Sequence, residues 1–260
     1  MANIPKSEHK IQAWPCPKRI RAVFGDLEIA ESTNTLILRE TRHAPVYYFP
    51  KGDVRMDLLE KTDHATVCSI KGDASYWNIA TREKTAENAA WSYESPIPGA
   101  ERIAGYVAFY FKLMDHWYED DDEIFIHPKD PFVRIDVRKS SQPLQVVIGG
   151  ETVAETTRAS LLYETGSITR YYIPKEDIRM VLLQATDLHT SCPYKGTCDY
   201  WTVRINGDEF ENVVWSYPTP LPEVADIKNL LCFYNEKVDE ILIDGIPPST
   251  SKILWYENVS

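Results

Sequence analysis

The chain is short of several things, and each shortage closes off a class of function. Positive charge is scarce: 28 Lys and Arg against 39 Asp and Glu leave a net charge of −11, with no basic stripe. Such a surface repels phosphate backbones, so nucleic acid is not an expected partner. Cysteine is sparse and unpaired. The five present include no Cys-x-x-Cys, which fits a reducing compartment better than a disulfide framework. No apolar stretch approaches the length of a membrane span, and the opening MANIPKSEHK lacks the apolar core of a signal peptide. A soluble cytoplasmic protein with no membrane partner is therefore expected. Aromatic residues, by contrast, are plentiful. Seven Trp, fifteen Tyr and eight Phe allow a small domain to build a dense core from few residues.

What is present is above all a repeat. Shifting residues 23–120 by 124 positions lays Glu40-Thr41 on Glu164-Thr165, Tyr47-Tyr48 on Tyr171-Tyr172, and Asp53, Arg55 and Met56 on Asp177, Arg179 and Met180. Cys68 and Lys71-Gly72 meet Cys192 and Lys195-Gly196; Tyr76-Trp77 meets Tyr200-Trp201; Trp91-Ser92-Tyr93 meets Trp215-Ser216-Tyr217. A unit of about a hundred residues exceeds the solenoid range, so each copy is expected to be a domain with its own core. The division expected is an extended lead-in over 1–18, a first repeat over 19–122, an ordered inter-domain segment over 123–142, a second repeat over 143–248 and a tail over 249–260.

Within each copy the pattern reads as short strands. Alternation around Gly25-Asp26 and Gly149-Gly150 predicts two β-hairpins. TLILRET (35–41) and SLLYET (160–165) follow as strands. Asp53 and Asp177 are expected to cap short helices that point Val54 and Leu58, or Ile178 and Leu182, inward. A Thr-Asp loop, strands through Tyr-Trp and a strand ending in Trp-Ser-Tyr come next. Ile103, Val107, Tyr110, Met114 and Trp117 recur at steps of three and four, predicting an amphipathic helix over 100–118 with a shorter counterpart over 223–238. The acidic run Glu119–Glu123 reads as the solvated end of that helix. The fold class expected is α+β, mainly antiparallel β, with one longer helix in each duplicated domain.

Leu36, Leu38 and Glu40 share a strand face, as do Ser160, Leu162 and Glu164. If the leucines face inward, a carboxylate ends each apolar row and needs a partner or a proton. Arg55 and Arg179, with Lys71 and Lys195, are the cations kept in both copies, and at least one is expected against each carboxylate. One reading is a buried structural ion pair. The other is a site in which Glu40 or Glu164 transfers a proton while Lys or Arg orients an anionic or carbonyl group. Tyr47, Trp77 and Trp91, and Tyr171, Tyr172, Trp201 and Trp215, either wall an aromatic pocket or fill the core. His43 and His127 are further candidates that titrate near neutrality. Lone cysteines do not make a four-ligand zinc site.

The series Glu-Thr, Tyr-Tyr-x-Pro, Asp-(Val/Ile)-Arg-Met, Cys192-Pro-Tyr-Lys195-Gly, Tyr-Trp and Trp-Ser-Tyr-x-x-Pro resembles the family called domain of unknown function 427. The segment from His127 to Val137 looks like the link in its tandem members. The resemblance implies a β-tent-like (Mss4-like) fold, with two small antiparallel sheets meeting at an angle and a helix alongside. Relatives of that fold carry zinc on paired cysteines that are missing here, so no metal and no cofactor are expected. The family is often labelled nucleotidyltransferase-like, but Gly149-Gly150 is followed by no Asp-x-Asp pair that would hold magnesium. The expected function is cofactor-independent acid–base chemistry on a small organic molecule, by rearrangement, elimination, cyclisation or hydrolysis. A non-catalytic small-molecule or peptide binding module and a nucleotidyltransferase-like activity are the alternatives.

Overall fold

A computed structural model of the chain describes residues 9–254. The chain divides into two units, Met1–Asp130 and Pro131–Ser260. Each holds a seven-stranded sheet and a smaller one, and every strand pairing within them is antiparallel.

In the first unit the large sheet runs in the order Ile11–Pro15, Leu36–Glu40, Val46–Pro50, Tyr106–Phe109, Thr85–Ser92, Gly72–Ala80, Leu59–Cys68. The small sheet is Asp122–Glu123, His116–Glu119, Ile20–Phe24, Leu27–Ser32. The second unit repeats the large sheet from Ile135–Lys139 to Leu183–Cys192, and its small sheet has three strands. The lead-in thus contributes a structural strand: Ile11 pairs with Glu40 as Ile135 pairs with Glu164, so the duplication extends upstream of residue 23. The expected tail over 249–260 lies partly outside the described residues, but its Ile253 exchanges backbone hydrogen bonds with Gly166 and Ser167.

Alternation sends the side chains of the central strands into two cores. Ile37, Tyr47, Phe49, Val107 and Phe109 pack with Ile20, Ala22, Phe24 and Ile29 of the small sheet. Leu36, Leu38, Tyr48 and Ala108 pack on the opposite face with Tyr76, Tyr93 and Ile103. Both hairpins form, and each has positive φ at its two turn residues, Gly25-Asp26 and Gly149-Gly150. The type I′ turn explains those residues fully.

The helices are where the structure departs from expectation. Among the described residues there is no α-helix, only short 3-10 turns. Residues 100–118 fold as the turn Glu101–Ile103, the strand Tyr106–Phe109, the turn Phe111–Leu113 and the strand His116–Glu119. Gly105, at φ +78°, ends the first turn, and Tyr-Val-Ala-Phe suits a strand buried on both faces. The helical spacing is coincidental, because Ile103 enters one core and Val107 and Trp117 the other. The counterpart becomes the turn Pro222–Ile227 and the strand Leu231–Phe233. Glu119–Glu123 is a hairpin rather than a helix end, and the Thr62-Asp63 loop is an irregularity inside the strand Leu59–Cys68.

Asp53 and Asp177 cap nothing. Asp53 accepts a hydrogen bond from Ser32 Oγ at 2.6 Å, and Asp177 accepts from Thr156 Oγ1 at 2.6 Å and from Arg158. Together with Arg55 N–H to Ile29 O and Arg179 N–H to Val153 O, these bonds fasten the Asp-x-Arg-Met segment to the small sheet.

One outer strand of each large sheet, Leu59–Cys68 or Leu183–Cys192, is polar, mostly exposed and broken by a register shift.

Each Lys-Gly pair has a backbone reason. Gly72 and Gly196 have φ of +98° and +99°, and a Cβ on Gly196 would sit 3.1 Å from the Thr219 carbonyl oxygen. The preceding carbonyls are held by Ile97 N–H and Leu221 N–H, which fixes where Lys71 and Lys195 start. Gly196→Ala is expected to lower stability by about 2 kcal/mol, read as a shift in denaturation midpoint; an unchanged midpoint would show that the turn tolerates a side chain.

Candidate functional site

The strand face that buries Leu36 and Leu38 delivers Glu40 to the end of the apolar row. Lys71, from the turn after Cys68, reaches the same point and donates to Glu40 Oε2. Both side chains are about nine-tenths buried. The second unit repeats the pair, with Lys195 Nζ donating to Glu164 Oε2 at 2.6 Å. Burial pushes the Glu40 carboxyl up. The hydrogen bond and charge of Lys71, with His9 and His43, outweigh it and hold the group below its ordinary value of 4.5.

Further ligands gather on Glu40 Oε1. His9 Nε2 lies 2.7 Å away and His43 Nδ1 3.9 Å away, and the two imidazoles are stacked. His9 is placed by its neighbour Lys10, whose backbone bonds to Thr41 on both sides. Sequence reasoning missed His9 because it treated the lead-in as outside the repeat. Carrying the 124-residue correspondence back to Ile11 and Ile135 would have set it beside Glu40.

The pair sits on the wall of a cavity of about 590 Å3. That is within the range of small-molecule sites, and its walls are aromatic. Tyr48, Tyr76, Trp91, Tyr93 and Tyr110 line it, as do Tyr47, Phe109, Phe111 and Trp117. His43 and His127 both line it. Trp91 Nε1–H donates to Tyr48 Oη at 3.2 Å, and Tyr47 Oη donates to Glu119 at 2.6 Å. Burial raises the pKa of both tyrosines, Glu119 raising Tyr47 further, so neither is a proton acceptor.

Other candidates lie elsewhere. Arg55 forms an exposed two-bond pair with Asp57, and Arg179 pairs with Glu151. Neither arginine reaches a Glu–Lys pair, because the bond that fastens its own backbone to the small sheet turns the side chain outward. Trp77 belongs to the core against the small sheet, and Trp201 packs against the corresponding core of the second unit. Tyr171 is in that same core, while Tyr172 and Trp215 pack on the opposite face.

On the second unit's aromatic wall a guanidinium lies over the rings. Arg170, where the first unit has Val46, lies 5.6 Å and 5.8 Å from the ring centres of Trp215 and Tyr234 and makes two 2.7 Å bonds to Glu236. The three histidines also have no equivalents there: His9, His43 and His127 correspond to Val133, Ser167 and Ser251.

Lys71→Met leaves a largely buried carboxylate without its cation and is expected to cost about 3 kcal/mol. Adding Glu40→Gln should recover most of that loss. A chemical-denaturation series reads both, and a double variant no better than the single would remove the ion pair from the account.

Cys16 and Cys68 lie in the first unit and Cys192, Cys198 and Cys232 in the second, and the metal-binding geometry found among the described residues uses no cysteine. Among the described residues no helix is long and apolar enough to cross a membrane. No curated protein matches the sequence. The profile of one family, described as Domain of unknown function (DUF427), matches residues 12–120 and again 136–244. These two matches span most of the chain, follow the two sheet-rich units and start at the strands that carry the duplication upstream; the chain belongs to that family, as a tandem pair.

Proposed function

We propose that the first unit binds a small, mostly apolar organic molecule carrying an oxygen function and acts on it by acid–base chemistry. The observation that carries this reading is the Glu40–Lys71 pair on the wall of an aromatic cavity of about 590 Å3. Charges of this kind inside a core are replaceable by apolar residues at little loss; beside a ligand-sized space they have a use.

The chemistry follows from the pairing. Glu40 takes a proton from an acidic C–H or O–H of the ligand and becomes neutral. Lys71 then has no counter-charge and turns its ammonium to the negative charge developing on the ligand oxygen. Proton return from Glu40 completes a rearrangement, elimination or cyclisation; hydrolysis uses the same groups on water. The second unit keeps the pair but lays Arg170 over the matching aromatic rings, and supports the fold.

The test is a panel of flat, oxygen-bearing aromatic compounds, followed by quenching of tryptophan fluorescence and by product analysis. Saturable quenching with product formation supports the reading. Saturable quenching without product reduces the first unit to a binding module, and no quenching by any compound removes both.

A further inference from the structure

We infer that the mouth of this cavity is a site for one divalent transition-metal ion, held by His9, Glu40 and His43. A ring nitrogen of each histidine and an oxygen of Glu40 lie within 4.8 Å of one another. Ligands around a tetrahedral zinc stand roughly 3.3 Å apart, given bonds of about 2.0–2.2 Å. The three groups are therefore within a small side-chain adjustment of that geometry. Two imidazoles and a carboxylate form the ligand set of a catalytic zinc site, which keeps its fourth position open.

The surroundings suit an ion. Glu40 divides its oxygens, Oε2 to Lys71 and Oε1 to the histidines. One lone-pair direction therefore remains for a cation after the ammonium is satisfied. The Lys71 charge weakens the site without blocking it, because the carboxylate stands between the two cations. His43 Nδ1 lies 3.0 Å from the Thr41 carbonyl; donating its N–H there fixes the ring and leaves Nε2 to hold the ion. The second unit supplies an internal comparison. It keeps the carboxylate and the lysine, but has Val133 and Ser167 where His9 and His43 stand, so the histidines are not needed for the ion pair or the fold.

The inference goes beyond the acid–base reading and does not rest on it, since an ion at this position is measured on the protein alone. Both claim Glu40. With the ion bound, Oε1 is a ligand, and the group that takes the proton beside Lys71 is ion-held water, whose pKa a divalent ion brings near neutrality.

The experiment titrates the full chain with Zn2+ in competition with a chelating dye, and with Co2+ followed by visible absorption. One ion per chain is expected, with the intense absorption of low-coordinate Co2+. His9→Val and His43→Ser, the residues of the second unit, should each weaken binding at least tenfold while leaving the chain folded with a cooperative thermal transition. His116→Gln, at the exposed partner of Glu123, should change nothing. No saturable site, or one whose affinity survives both replacements, overturns the proposal. Its failure leaves the acid–base reading standing, and metal binding without product from the compound panel removes only that reading.

Discussion

Replacing Glu40 with Gln is expected to keep ligands binding in the first unit's cavity while turnover falls by roughly 100- to 10,000-fold. Gln has the shape of Glu, and its carbonyl still accepts from Lys71, so the wall keeps its form. What it loses is the ability to take and return a proton. Glu164→Gln, made in parallel, should leave turnover nearly unchanged, because Arg170 and its partner Glu236 cover the aromatic wall around that residue. The decisive measurement is product formation at saturating ligand for both variants. Full activity in Glu40→Gln would sink the assignment, and activity lost only in Glu164→Gln would move the working site to the second unit.

Closing the cavity is the complementary experiment. Val46 stands where Arg170 does, and Lys112 where Glu236 does. Val46→Arg combined with Lys112→Glu should recreate the plug, setting a guanidinium across Trp91 and Tyr110, whose rings are 4.6 Å apart. Binding of any cavity ligand is expected to weaken by at least about 100-fold, equivalent to about 2.7 kcal/mol. Stability should change little, since Arg170 and Glu236 already satisfy one another in the second unit. The single Val46→Arg places like charges together and should be worse tolerated than the pair. Quenching of the wall tryptophans reports both effects, and undiminished affinity in the double variant would show that ligands bind elsewhere.

The strands were legible in the sequence because alternation in Leu36–Glu40 and Ser160–Glu164 reflects a real two-faced environment. The hairpins were legible because two consecutive left-handed residues demand Gly or Asp. The helix over 100–118 was misread for a physical reason. A strand buried on both faces followed by a tight turn places apolar residues at steps of three and four, and periodicity alone cannot separate that from a helix. Arg55 and Arg179 recur in a segment fastened by backbone bonds that other residues could also make, and their side chains face water, paired with Asp57 and Glu151. The Glu–Lys contact followed from the end of an apolar row needing a counter-charge. That Val46 leaves a space which Arg170 fills depends on side-chain reach across strands, which no single-sequence pattern encodes.

The rims of the two large sheets bear on how the molecule behaves at high concentration. Unpaired amide and carbonyl groups along Leu59–Cys68 and Leu183–Cys192 would template another chain if they lay flat and greasy. Glu60, Lys61, Asp63 and His64 on the first rim, and Asp187 and His189 on the second, with a kink midway in each, deny a newcomer both a dry seam and a straight ladder. Smoothing those kinks while removing the charges is expected to promote growth into fibres, read as thioflavin binding at high concentration.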